Sequence, residues 1–107
     1  MSDWYILGPD HEPVASTVEE WSAWLGQGFP MTKRVANDNI GDTTVSTVFL
    51  GVDHNWGDGP PILFETMVFG GDHDEWQWRY HTWDEAAQGH AAVVAAVKGE
   101  GLWPDGR

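Results

Sequence analysis

The chain has 107 residues, no cysteine, and 17 acidic against 5 basic residues, a formal net charge of −12. That length fits one domain over residues 1–107, and the lack of thiols excludes disulfides, a cysteine nucleophile and cysteine-ligated zinc. A field of this sign repels phosphate backbones, which argues against direct binding of nucleic acid.

An apolar content of 41 % separates the chain from acidic disordered segments, and Trp supplies much of it, with 8 residues against 4 Phe and 2 Tyr. Indoles make a stiff core in which each N–H needs a partner. The acidity has two readings: solubility, or attraction of a basic partner protein, including imitation of nucleic acid toward a protein that binds it. Met1–Leu7 lacks a basic segment followed by a long apolar run, and no apolar stretch approaches the about 20 residues of a membrane span. A cytoplasmic protein without membrane association is expected.

In chain order, Trp4–Leu7 reads as a strand stopped by Gly8-Pro9-Asp10. Thr17-Val18-Glu19-Glu20 is a capping box, and Val18, Trp21 and Leu25 follow at helical spacing until Gly26 or Gly28, with Pro30 beyond. Lys33–Asp38 and Thr43–Leu50 read as strands joined by a turn at Asn39–Asp42. A loop from Gly51 to Pro61 leads to the strand Ile62–Phe69, and the turn Gly70–Asp74 leads to Trp76–His81. In that last strand Trp76, Trp78 and Tyr80 share one face, and Gln77, Arg79 and His81 the other. A second capping box, Thr82-Trp83-Asp84-Glu85, opens a helix with an apolar stripe through Val97, ended by Lys98 and Gly99. A loose tail follows in which Leu102-Trp103 can dock. The order β-α-β-β-β-β-α with short connections predicts an α+β fold: an antiparallel sheet of four to five strands with two helices on one face.

Candidate chemistry gathers in two places. The long loop offers Asp53, His54, Asn55 and Trp56 in succession, a carboxylate and imidazole suited to acid–base work beside an indole suited to stacking. A plain turn rich in Asp, Asn and Gly explains the same residues. Glu65 interrupts an apolar strand and shares a face with Leu63, Met67 and Phe69. A covered carboxylate there needs a partner, and Arg79 on the neighbouring strand is the natural one. Either the pair is structural, or Glu65, Arg79 and His81 line a cleft with His54 nearby, where Trp56 or Trp78 could stack on a ring and Arg79 hold an anion. Asp72-His73-Asp74-Glu75 reads as a solvated turn, lacking the spacing of a calcium loop. Ser46 and Thr47 have no evident base, and no metal spacing, phosphate loop or nucleophile elbow is present. Neither a metal nor a cofactor is expected.

The segments Val45-Ser46-Thr47-Val48-Phe49-Leu50-Gly51-Val52-Asp53-His54 and Leu63-Phe64-Glu65-Thr66-Met67-Val68-Phe69 resemble a family of small uncharacterised proteins encoded by bacteriophages and prophages. With Arg79-Tyr80, Thr82-Trp83 and Glu85-Ala86 to His90, the resemblance covers about Arg34 to Val97. It implies a setting, not a mechanism: an accessory protein in the bacterial host cytoplasm that binds a host protein, for instance a defence component, and blocks or diverts it. A basic host surface would suit the acidity. The alternatives are a protein that sequesters a nucleotide-like small molecule and a small hydrolase using Asp53, His54 and Glu65. Self-association is a further expectation, because Trp76–His81 would leave aromatic surface exposed.

Overall fold

The computed structural model describes residues 3–26, 34–55, 57 and 59–105. Its elements are β1 (Trp4–Leu7), β2 (Pro13–Ser16), α1 (Val18–Leu25), β3 (Arg34–Ile40), β4 (Thr43–Phe49), β5 (Phe64–Phe69), β6 (Gln77–Tyr80) and α2 (Trp83–Val97). The fold is α+β. Strands β3-β4-β5-β6 form one antiparallel sheet in sequence order, and β1-β2 form a separate hairpin.

Strand β2 is absent from the sequence-based expectation, and the reason is local. Pro13 opens it on an edge, where a missing N–H is tolerated, and its Val14 and Ala15 are exposed, so no alternation announces it. The hairpin is tied to the main sheet through the segment after β4, where Tyr5 N–H donates to the Gly51 carbonyl at 2.8 Å and Asp53 N–H to that of Asp3 at 3.0 Å. Between β3 and β4, Ile40 pairs with Thr43, so only Gly41-Asp42 form the turn and β3 continues through Asn39 and Ile40. Helix α1 ends at Gly26, one of the two expected stops, while Gly28, Pro30 and Lys33 lie outside the described residues.

Period-two alternation decides which side of the sheet is dry. Val45, Thr47 and Phe49 of β4, and Phe64, Thr66 and Val68 of β5, are fully buried beneath α2, while Ser46, Val48, Glu65 and Met67 lie half-buried on the opposite face. Helix α2 begins at the capping box of Thr82 and Glu85, with both reciprocal bonds formed, and buries Ala86, His90, Val93 and Ala96. Its small residues bring it close to the sheet. At Gly89 a β-carbon would collide with the Tyr80 hydroxyl and ring, so the sheet and helix meet only because this position has no side chain. Helix α1, capped by Thr17 and Glu20 in the same way, packs on β1, and its Trp24 meets the Phe49 ring edge-on at 5.7 Å. Both helices therefore cover the same face.

Two apolar clusters result. One joins Val45, Val68, Trp78 and Val93, and the other Phe49, Leu63, Phe64 and Ala86. The tail docks onto the first: Trp103 stacks on Trp78 at 5.9 Å with planes 5° apart, and Trp78 Nε1–H donates to the Pro104 carbonyl at 3.0 Å. Its neighbour Leu102 stays 92 % exposed.

Candidate functional site

The loop residues chosen from the sequence are held by the loop itself. Asp53 Oδ1 accepts from the backbone N–H of Asn55 at 2.7 Å and of Ile62 at 3.0 Å. Asn55 donates through Nδ2 to the Pro60 carbonyl at 2.9 Å and accepts at Oδ1 from Gly57 N–H at 3.0 Å. His54 N–H donates to the Ile62 carbonyl at 3.0 Å. These bonds satisfy a segment without regular structure, which buried or half-buried backbone requires. His81 joins the same region, with Nδ1 2.8 Å from the Pro61 carbonyl, a distance at which Nδ1–H is the donor. Trp56 lies outside the described residues.

Glu65 and Arg79 meet as the alternation and register require. They face each other across β5 and β6, and Arg79 Nε–H donates to Glu65 Oε2 at 3.1 Å on the face away from α2. With Arg79 40 % exposed, solvent screens the pair, and its contribution is about 0–1 kcal/mol. Trp78 points to the other side and is only 3 % exposed under α2 and Trp103, so it cannot share a cleft with Glu65 and Arg79.

Sequence reasoning missed a five-residue polar chain through the core. Tyr80 OH donates to Thr66 Oγ1 at 3.0 Å, and Thr66 and Thr47 hydroxyls are 2.5 Å apart. Thr47 Oγ1 lies 2.7 Å from His90 Nδ1, and His90 Nε2 lies 2.7 Å from Asp38 Oδ2. Two assignments satisfy every link: in each Tyr80 donates to Thr66 and Nε2–H to Asp38, while either Thr66 donates to Thr47 and Thr47 to Nδ1, or Nδ1–H donates to Thr47 and Thr47 to Thr66. His90 Nε2 carries a proton in both. Nitrogen-15 spectra of the ring are expected to show a protonated Nε2 bonded to a carboxylate at neutral pH, and a bare Nε2 with the proton on Nδ1 alone would break the assignment.

Asp38, His90 and Thr47 thus form a carboxylate–imidazole–hydroxyl series, and Thr47 does have an imidazole partner. Thr47 and Thr66 are nevertheless 0 % exposed, so no substrate reaches either hydroxyl. The chain ties β3, β4, β5 and β6 to α2, as fully connected buried networks do. The available signal was His90 itself, an imidazole on the apolar stripe of α2 with Ala86 and Val93.

Burial raises the pKa of Tyr80 above its ordinary 10.0, and the bond to Thr66 offsets part of that. The fold therefore favours the neutral phenol. This contribution is complete below the unfolded value of 10.0 and is lost as pH rises from there through the folded value. Wild-type protein is expected to lose stability above pH 10 more steeply than Tyr80→Phe, as measured by urea unfolding along a pH series.

Two concavities open at the ends of α2. One, of about 260 Å³, lies at its C-terminal end between Ala96 and Val97, the β3–β4 turn with Asp42 and Thr43, the β5–β6 turn with Asp72 and His73, and Trp103. His73 is not a solvated turn residue: its ring is 4.4 Å from Trp76 and 4.3 Å from Trp103. Gly70 and Gly71, with φ of 83° and 69°, let their turn press against Asp42 and Thr43, where side chains would clash. The other concavity, of about 210 Å³, lies at the N-terminal end between the β1–β2 turn, with Asp10, His11 and Glu12, and Thr82, Trp83 and Asp84. There His11 adopts φ 63° and stacks on Trp83 at 3.8 Å. Both sites combine aromatic rings with carboxylates, and among the described residues neither is lined by Lys or Arg.

Among the described residues no helix is long and apolar enough to cross a membrane, and no group of three or more His, Asp or Glu side chains is arranged to hold a metal. No family model, curated protein or solved structure matches the chain.

Proposed function

We propose that this protein binds a host protein stoichiometrically and occupies a basic surface on it, in the manner of a phage accessory factor that blocks or diverts a host component. One observation carries the reading: both concave sites are walled by carboxylates and aromatic rings and, among the described residues, lined by no Lys or Arg. An excess of 17 acidic over 5 basic residues adds long-range steering toward a positive partner. The groups a hydrolase would use are engaged otherwise, Asp53 by two backbone N–H groups and Glu65 by Arg79. The family resemblance supplies the host-cell setting, including a defence component as target.

The test is affinity capture from bacterial lysate with the tagged full chain, beside a variant carrying Asp10→Asn, Asp42→Asn, Asp72→Asn and Asp84→Asn. A partner near equimolar ratio is expected, with affinity falling about tenfold or more on a rise from low to physiological salt. The variant is expected to lose it. Capture indifferent to both salt and the four substitutions would overturn the reading.

A further inference from the structure

We propose that the cleft at the C-terminal end of α2 receives the guanidinium of one arginine side chain. The inference rests on the binding reading above and names the chemistry of its contact. Three features converge on a planar cation. Asp42 and Asp72 stand on opposing turns, and among the described residues neither carboxylate pairs with a cation. Trp103 and His73 supply ring surface, against which a guanidinium stacks while its five N–H donors reach outward to carboxylates. The C-terminal end of α2, where the helix dipole is negative, closes the site at Ala96 and Val97, and the C-cap Lys98 is not among the described residues that line it.

Size narrows the ligand further. At about 260 Å³ the cleft is smaller than the about 300–1,000 Å³ of pockets that enclose drug-sized molecules, and it suits a single side chain. Lysine fits less well, because its ammonium is a compact, strongly hydrated charge without a flat face.

The experiment follows amide and indole resonances of the nitrogen-15-labelled full chain during titration with N-acetyl-arginine amide, N-acetyl-lysine amide and N-acetyl-citrulline amide. Citrulline keeps the shape and removes the charge. Saturable shifts at Gly71, His73 and the Trp103 indole are expected with arginine, weaker ones with lysine and none with citrulline. Asp42→Asn and Asp72→Asn, each with an otherwise unchanged spectrum, are expected to weaken arginine binding about fivefold or more. Equal responses to citrulline, indifference to both substitutions, or shifts centred elsewhere would overturn the assignment. If wild type captures a basic partner and Asp42→Asn with Asp72→Asn leaves capture unchanged, this cleft assignment fails and the binding reading stands. If arginine binds here and no basic partner is captured, the cleft stands and the reading fails.

Discussion

Gly89→Ala is expected to destabilise the protein although helix propensity alone argues for the reverse. Alanine in the middle of a helix gains about 1 kcal/mol over glycine. At this position its methyl group would enter the Tyr80 ring and hydroxyl, which the bond to Thr66 holds in place. Overpacking of this kind costs typically about 1–3 kcal/mol, and relieving it means lifting α2 off β6 or turning Tyr80 out of its chain. The packing term wins, with a net loss of about 1–2 kcal/mol seen in urea unfolding. The mechanism has a signature: in a Tyr80→Leu background the same Gly89→Ala change should become neutral or stabilising. Additive effects of the two substitutions would show that the close approach is not what fixes glycine here.

His90→Ala is expected to cost more, about 2–4 kcal/mol, from a cavity beneath α2 together with a Thr47–Thr66 hydroxyl pair that has lost its imidazole partner in a dry site. The comparison that separates structure from function is the concerted replacement Thr47→Val, Thr66→Val and His90→Leu. Removing these three buried partners together leaves only the part-buried Tyr80 hydroxyl without its acceptor, so this variant should recover most of the lost stability. It should also bind its partner as wild type does, because no member of the buried chain except Asp38 and Tyr80 reaches solvent. Loss of partner binding in a well-folded triple variant would make the chain a working site rather than a tie between sheet and helix.

How far the sequence spoke depends on the kind of signal. Both helix starts were legible, because Thr17 with Glu20 and Thr82 with Glu85 satisfy N–H groups through contacts only three residues apart. The Glu65–Arg79 pair was legible too, since alternation and a short hairpin place the two opposite each other. Strand β2 was not: a four-residue edge strand with two exposed central residues has no periodicity to read.

The two clefts were illegible for a different reason. Asp42, Asp72 and Trp103 are far apart in sequence, and each looks like an ordinary turn or tail residue until the topology brings β3–β4, β5–β6 and the end of α2 together. His73 looked solvated because nothing local shows that Trp103 returns to cover it. The polar chain joins Asp38 to His90 across 52 positions, and only the odd placement of an imidazole on an apolar helix face betrayed it.

Amide shift mapping of the full chain bound to its captured partner locates the working surface. If the acid-rimmed clefts receive the partner, perturbations concentrate at Asp10–Pro13, Thr82–Asp84, Asp42–Thr43 and Asp72–His73. Perturbations confined instead to Arg34, Glu65 and Arg79 on the open face of the sheet, or to Asp53–Asn55, would contradict this and return attention to the loop and ion pair.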